Sequence, residues 1–173
     1  MTLARRARLA LAVLLLLVPV AGCGDKPAPK SQALPSVTLE PLGDGTAVDL
    51  ATLRGPLVIN IWASWCPPCR KELPIYQRFA KAASGRVDVL GIDFNDPQAQ
   101  KALQLARDSG VTYPLLADPE TTVDGRGPIP VLRGLPALVL VDAQGHVVHL
   151  EYVEITSLDQ LEQLVTEHLG VDL

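Results

Sequence analysis

Two cysteines that closely follow a run of apolar residues limit what this chain can fold into. Residues 57–62 read LVINIW, and the cysteines lie in the segment WCPPC at residues 65–69. An apolar run of this length predicts a strand that is buried on both faces of a sheet. Prolines favour the first positions of a helix. We therefore expect both thiols between a central strand and a helix, at the sheet edge where open α/β folds place their ligands.

The spacing of Cys66 and Cys69 predicts a reversible disulfide. At a helix N-terminus, unpaired N–H groups and the positive end of the helix dipole stabilise a thiolate, and such sites lower a cysteine pKa from about 8.5 to between roughly 3.5 and 7.5. Pro67 and Pro68 have no N–H, so the N–H of Cys69 remains available to a Cys66 thiolate. We expect Cys66 to attack a substrate disulfide and Cys69 to resolve the mixed disulfide.

Two other roles are open to such a cysteine pair. A permanent structural disulfide is common in exported proteins, but closing so short a loop gives little stabilisation. A zinc site needs further ligands, and the sequence has no second CxxC and no HxH motif at ligand spacing. We therefore expect no metal site and favour the redox pair over both alternatives. The three histidines are expected on the surface or on strand faces; they are His146, His149 and His168.

The first 22 residues have the pattern of an export signal. Arginines within residues 1–8 precede an apolar stretch at residues 9–20 and a small-residue cleavage site. That stretch is shorter than the roughly 20 residues that span a membrane. Residues 20–23 read VAGC and resemble the lipobox of bacterial lipoproteins, whose cysteine is acylated and becomes the mature N-terminus. We therefore expect a lipid on Cys23, and the alternative is an ordinary cleaved signal peptide.

Composition divides the rest of the chain into a tether and a domain. Residues 23–36 are rich in proline and charged residues, which predicts a flexible tether. Residues 37–173 are enough for one domain with one core. The net charge is −4 at pH 7, with lysine and arginine interspersed among the acids, so we expect no nucleic-acid partner.

Strand and helix patterns alternate along residues 37–173 and predict an α/β sheet with helices on both faces. Helices are predicted at residues 67–83, with a kink at Pro74, and at residues 98–109 and 158–168. Strands or extended segments are predicted at residues 37–40, 57–62, 87–94, 113–117, 137–142 and 146–152, the last two forming a hairpin.

The order of these elements resembles the thioredoxin fold. The features that carry the resemblance are a buried strand, the WCPPC segment, a kinked helix and the sequence GLP at residues 134–136 before a hairpin. Residues 70–74, RKELP, make the chain similar to the extracytoplasmic TlpA/ResA branch, and residues 91–118 are similar to the central insertion of that branch. The resemblance implies a mixed central sheet flanked by helices.

The resemblance also implies roles for residues outside the cysteine pair. Pro136 matches a cis-proline that faces the thiols, and Leu135 would offer its backbone N–H and C=O to an extended client peptide. Glu72 matches an active-site glutamate that would modulate proton transfer and the cysteine pKa values; the alternative is a solvated carboxylate. Asn60 replaces the buried aspartate of cytoplasmic thioredoxins and cannot accept a proton.

The two tryptophans are expected to differ in environment. Trp62 lies on the predicted central strand and is expected in the core. Trp65 is expected to shield the disulfide and, with Pro67 and Pro68, to form an apolar docking surface for substrate.

The predicted activity is thiol-disulfide exchange with protein substrates, without a dissociable cofactor. The resemblance implies either reduction of apocytochrome c or similar clients before haem attachment, towards which the lipobox and Glu72 point, or oxidation and isomerisation of disulfides in exported proteins. A membrane thiol carrier is the expected redox partner. The protein is expected to be a monomer held by its lipid at the extracytoplasmic face of the cell membrane. A non-catalytic binding module stays open, whereas a thiol peroxidase would need a PxxxTxxC loop that residues 61–66 do not supply.

Overall fold

Strands and helices alternate in the predicted order. The computed structural model describes residues 32–173. The elements are β1 (Gln32–Ala33), β2 (Thr38–Pro41), β3 (Val48–Asp49), β4 (Leu57–Trp62), α1 (Pro67–Ala82), β5 (Asp88–Phe94), α2 (Ala99–Asp108), β6 (Leu115–Asp118), β7 (Ala137–Val141), β8 (His146–Glu151) and α3 (Leu158–Leu169). A short 3-10 helix, Leu50–Thr52, follows β3. The three predicted α-helices are confirmed, with bounds that agree within one residue.

The strands form one mixed sheet in the order β1-β8-β7-β4-β5-β6-β2-β3. The central strand β4 is parallel to β5 and antiparallel to β7. All of its residues are buried, which explains its apolar sequence, because each face of a central strand is covered by another layer. The predicted hairpin is formed by β7 and β8. Strand β4 ends at Trp62, so the cysteine segment begins at the C-terminal end of this central strand.

The α-helices cover one face of the sheet, whereas the sequence predicts helices on both faces. Val58 of β4 shares a core with Phe79 of α1 and Leu161 of α3. Trp62 lies four residues further along β4 on the same face. It packs with Ala102 of α2.

The opposite face is covered by segments outside the α-helices. One of them, residues 119–136, contains four prolines and three glycines, which disfavour a helix. The residues that cover Ile59 and Ile61 of β4 on this face include Leu34, Leu50, Val123 and Ile129.

The end of the predicted tether belongs to the sheet. Strand β1 pairs antiparallel with β8, the N–H of Leu34 donates to the carbonyl of Gly145 at 3.2 Å, and Leu34 is 3% exposed. The predicted tether therefore does not include residues 32–36, because an apolar residue and an open sheet edge stabilise the chain there. Cys23 and the predicted signal peptide lie outside the described residues. Within residues 32–173, no helix has the length and apolar character needed to cross a membrane.

The predicted insertion adds a helix and a strand. Residues 91–118 include the end of β5, all of α2 and all of β6. Strand β6 is parallel to β5 and pairs on its other side with β2. Helix α2 packs its small buried residues, Ala102 and Ala106, against the cluster that contains both cysteines.

Candidate active site

The cysteine pair lies where β4 leads into α1. Cys66 is the N-cap of α1, and a disulfide joins it to Cys69 in the first turn. Pro67 and Pro68 occupy the first helical positions. The N–H of Cys69 donates to Cys66 Sγ at 3.3 Å, as the sequence predicts. In the reduced protein, this donor and the helix dipole would stabilise a thiolate on Cys66.

The loop that follows β5 holds the turn in front of Cys66. Asp96 accepts hydrogen bonds from the N–H of Ser64 at 2.6 Å and from the N–H of Gln98 at 2.9 Å. The indole N–H of Trp65 donates to the carbonyl of Asn95 at 2.9 Å. Sequence reasoning missed Asp96. The available signal was a polar residue just after β5, since neighbouring parallel strands end at the same sheet edge.

A second buried carboxyl group lies beside Asp96. The pKa of Asp93 is raised to about 8, chiefly by burial and secondly by the charge of Asp96. Burial also acts to raise the pKa of Asp96, but hydrogen bonds from Ser64, Gln98 and Asp93 outweigh burial and lower it. At neutral pH, the pair therefore carries one proton, on Asp93, and one negative charge, on Asp96.

Glu72 is a buried acid one helical turn after Cys69. Its side chain is inaccessible to solvent, which is at odds with a solvated carboxylate. Its pKa is raised to about 8, chiefly by burial; a hydrogen bond from the N–H of Ile155 partly offsets this effect, and the charge of Glu154 adds to it. This pKa is close to that of an ordinary thiol. A carboxyl group with such a pKa can exchange protons with a nearby cysteine at neutral pH.

The loop before β7 lies against the cysteine pair. The Leu135–Pro136 peptide bond is cis, as the family resemblance implies. The Leu135 side chain packs against the cluster that contains Cys66 and Cys69. Beside this loop is a cleft of about 190 Å³, lined in part by Leu135, Pro136 and Tyr152. The structure therefore places Leu135 of this loop against the cluster that contains both cysteines.

Comparison with known proteins agrees with this geometry. The model of the AhpC/TSA family matches residues 30–150. The chain belongs to the AhpC/TSA family. It is 30% identical over 151 residues to the thiol:disulfide interchange protein DsbE of Vibrio cholerae, an alignment that covers 82% of this chain and 77% of the relative. It is 33% identical over 98 residues to a DsbE homolog of Paracoccus denitrificans, which covers 55% of this chain and 49% of the relative.

Solved structures share the fold of this AhpC/TSA family member. A thiol:disulfide interchange protein of the thioredoxin family from Chlorobium tepidum matches with a TM-score of 0.65 and 26% identity, covering 82% of this chain and 99% of that one. The thioredoxin-like fold predicted from sequence is therefore confirmed. The chain is a TlpA/ResA-like thiol-disulfide oxidoreductase of the thioredoxin superfamily.

This family member exposes apolar side chains in the cysteine region. Trp65 is 46% exposed, whereas Trp62 is fully buried, which confirms the predicted contrast between the two tryptophans. Val131 and Tyr152 are also large exposed apolar residues, at 62% and 46%, and the Tyr152 hydroxyl donates to the carbonyl of Val131 at 3.5 Å. Sequence reasoning missed both, because their exposure depends on how residues 119–136 cross the sheet.

Two of the histidines come together away from the cysteines. The rings of His149 on β8 and His168 on α3 stack with centroids 3.8 Å apart. His149 Nε2 also lies 3.2 Å from Glu151 Oε2. In the part of the chain that the structure describes, no three or more His, Cys, Asp or Glu side chains are grouped so that they could hold a metal ion.

Proposed function

We propose that this oxidoreductase reduces disulfides of protein clients outside the cytoplasmic membrane, and that its client is apocytochrome c or a protein with a similar pair of cysteines. The carrying observation is the Cys66–Cys69 disulfide at the start of α1 with buried Glu72 one turn behind it. A thiol-disulfide exchange site needs a stabilised thiolate, a resolving thiol and a group that handles the proton. These residues can supply all of them.

The reaction follows from their positions. The Cys66 thiolate attacks one sulfur of the client disulfide, so a Cys66–client disulfide forms and the other client sulfur leaves as a thiolate. Cys69 then gives its proton to Glu72, in the fraction of molecules whose Glu72 carboxyl group is ionised, and attacks the sulfur of Cys66. The second client sulfur leaves, and both client thiolates take protons from solvent. The client gains two electrons, and Cys66 and Cys69 lose two as their disulfide forms. A membrane dithiol carrier returns these electrons.

The surface beside the cysteines is suited to a peptide client. Leu135 precedes the cis-proline Pro136 at the cleft, where its backbone can pair with an extended client segment. The exposed indole of Trp65 provides an apolar contact on the same site. Pro67 and Pro68, between the cysteines, complete the proposed substrate contacts.

Localisation is proposed from the N-terminal sequence. A lipid on Cys23 would tether the domain to the extracytoplasmic face of the cell membrane, and residues 24–31 would link the two. In that compartment, apocytochrome c cysteines must be reduced before they bind haem. Changing Cys23 to alanine should abolish labelling by a fatty-acid probe and release the protein from washed membranes. Retention of both lipid and membrane association in this variant would disprove lipidation at Cys23.

The test of function uses two matched variants. Cys69→Ser keeps the attacking thiol and should accumulate a mixed disulfide with the client, whereas Cys66→Ser should not. The trapped client is identified by mass spectrometry, and peptides that contain the CxxCH motif of haem attachment are expected. Complementation by a variant lacking both cysteines would show instead a binding module without catalysis.

The direction of electron flow is tested in intact cells. Thiols are trapped with acid and an alkylating mass tag, and the oxidised fraction of the Cys66–Cys69 pair is scored on a gel. A mostly reduced pair supports a reductase fed across the membrane. A mostly oxidised pair would point to disulfide formation or isomerisation in exported proteins.

A further inference from the structure

Buried polar side chains without hydrogen-bond partners are concentrated behind the cysteine pair. Within residues 32–173, such atoms are found on Asn60, Trp62, Glu72, Tyr76, Asp93 and Tyr113. Buried polar groups in proteins are almost always hydrogen-bonded. Where no protein group serves as partner, an internal water molecule commonly does. The concentration of these atoms therefore points to a hydrated polar path inside the protein.

Helix α1 supplies one side of this path. Cys69, Glu72 and Tyr76 follow one another at spacings of three and four residues, so they lie on the same face of the helix. All are fully buried. Only one of the two carboxyl oxygens of Glu72 is held by a hydrogen bond: Oε2 accepts a hydrogen bond from the N–H of Ile155 at 2.9 Å. Its other oxygen, Oε1, has no partner in the described chain.

The sheet supplies the other side. Asn60 on β4 is paired in register with Gly91 on β5. A Cβ atom built on Gly91 would lie 3.3 Å from the Tyr113 ring and 3.1 Å from Trp62 Nε1, so these side chains lie over Gly91 and beside Asn60. Tyr113 also belongs to the same packed cluster as Tyr76. The two tyrosine side chains therefore pack in the same interior region between α1 and the sheet.

Both hydroxyls remain neutral. Burial raises the pKa of Tyr76 well above its usual value, and the charges of Glu72 and Tyr113 add to this effect. Burial also raises the pKa of Tyr113, although the Asn60 side chain partly offsets it. A neutral hydroxyl can donate one hydrogen bond while it accepts another, which is what passing a proton along a chain requires.

Tyr113 borders the surface far from the cysteines, while its hydroxyl group is itself buried. Tyr113 is 8% exposed and lines a cleft of about 390 Å³ together with Gln77 and Thr112. The N–H of Thr112 donates to Gln77 Oε1 at 2.7 Å, which ties this segment to α1. The cleft also borders Ser84, beyond the C-terminal end of α1, whereas Cys66 caps the N-terminal end.

We propose that Tyr76 and Tyr113, bridged by internal water that hydrogen-bonds to Asn60, relay the proton of Cys69 from Glu72 to solvent at the Gln77–Thr112 cleft. The relay rests on the proposed thiol-disulfide exchange. When a client is disulfide-bonded to Cys66, it covers the front of the site, and Cys69 must still lose its proton before it attacks. Glu72, which holds a proton at neutral pH, first releases it through the back of the domain and then, as a carboxylate, accepts the proton of the Cys69 thiol. Tyr76 and Tyr113 act through Glu72 and do not touch the thiols.

The test follows the two steps of exchange with a chromogenic aromatic disulfide, 5,5′-dithiobis(2-nitrobenzoate). One equivalent added to the reduced protein releases one coloured thiolate when Cys66 attacks and a second when Cys69 resolves the adduct. We compare Tyr76→Phe and Tyr113→Phe with wild type by stopped flow. The control is Phe79→Leu, which alters packing one turn further along α1 without removing a hydroxyl.

The relay predicts that only the second step responds. In each tyrosine variant it should slow on the order of tenfold at pH 7, as expected for loss of assisted proton transfer, and the double variant should match the slower single variant because one break interrupts the whole path. The difference should disappear above about pH 9, where an ordinary thiol is already ionised. A packing defect would slow the step at every pH, as Phe79→Leu is expected to show if it has any effect.

The pH dependence of the second-step rate reflects the ionisable groups that face Glu72. These groups are Tyr76 on its own helix, Tyr113 before β6 and Glu154 after β8. Lys71 lies 4.0 Å from Glu154. Second-step rates equal to wild type from pH 6 to 10 in both tyrosine variants would overturn the relay and leave the proposed function intact. Absence of a second step in wild type itself would overturn both.

Discussion

The N–H of Ile155 donates a hydrogen bond to Glu72 Oε2 at 2.9 Å and joins residues 83 positions apart in the chain. Ile155 follows the β7–β8 hairpin and is itself buried. The bond fixes the carboxyl group beneath the first turns of α1 without supplying a positive charge. Glu72 is therefore held in place behind Cys69 while its pKa stays high.

Glu72 and Asp93 should make the protein less stable as pH rises. Their pKa values are raised from 4.5 and 3.8, respectively, to about 8 in the folded protein. Between these limits the folded state keeps protons that the unfolded state has lost, so stability is highest at low pH in this range and falls towards pH 8. Each group contributes a slope of up to about 1.4 kcal/mol per pH unit. Urea unfolding of the oxidised protein at pH 5 to 8 measures the trend.

Matched variants separate the two groups. Glu72→Gln and Asp93→Asn should each flatten the decrease, and the double variant should flatten it further. Glu167→Gln removes an exposed carboxyl on α3 and should keep the wild-type slope. A wild-type free energy of unfolding that is constant or rising over this range would contradict the assignment of raised pKa values.

Asp96 should hold the turn that precedes Cys66. Asp96→Ala removes the acceptor of the Ser64 and Gln98 N–H groups, and losing such an acceptor costs about 1 to 3 kcal/mol. We expect this loss in urea unfolding, together with faster amide hydrogen exchange at Ser64. Asp108→Ala serves as the control, since Asp108 is exposed and accepts from the Gln104 side chain. Unchanged exchange at Ser64 in Asp96→Ala would contradict this role.

Gly91 should be intolerant of any side chain. A Cβ there would overlap the end of the Leu115 side chain and crowd Trp62 and Tyr113, and overpacking in a core costs about 1 to 3 kcal/mol. Gly91→Ala is therefore expected to lower the midpoint of urea unfolding. Gly134→Ala provides a comparison, because a Cβ at Gly134 meets no neighbour within 4 Å. Equal midpoints for the two variants would contradict this crowding and show that the neighbouring side chains can move aside.

Leu34 should stabilise the domain even though it lies in the proline-rich N-terminal segment. Leu34→Ala removes a nearly buried side chain from the core, and such changes cost about 2 to 4 kcal/mol. Thermal unfolding measures the loss. Gln32→Ala alters an exposed residue of β1 and should leave the transition temperature within a degree or two. If the two variants unfold alike, the N-terminal segment is not part of the folded core.

The local features of the site could be predicted from sequence, because they depend on residues close together in the chain. Cys66, Pro67 and Cys69 specify a helix start with a sulfur at its cap, and Glu72 follows one turn later on the same helix. The cis bond before Pro136 was predictable only through resemblance to a family.

Features that depend on how distant segments meet were not predictable. Asp96 reaches Ser64 because β5 is parallel to β4 and ends at the same edge. Tyr113 approaches Asn60 because β6 lies beside β5 and Gly91 leaves space for its ring. Leu34 is buried because β8 has an open edge. Each of these contacts requires the sheet order, which no single segment specifies.

The two outermost strands of the sheet have a consequence for the protein's behaviour at high concentration. Both β1 and β3 are only two residues long, and they form the two ends of the strand order. A long outer strand with free N–H and C=O groups is a template on which another molecule can add a strand, and such additions lead to fibres. Each of these two strands by itself offers too few groups for a lasting ladder. Strand β1 covers only His146 and Val147 of β8, so the rest of β8 is the part of this margin where another strand could add.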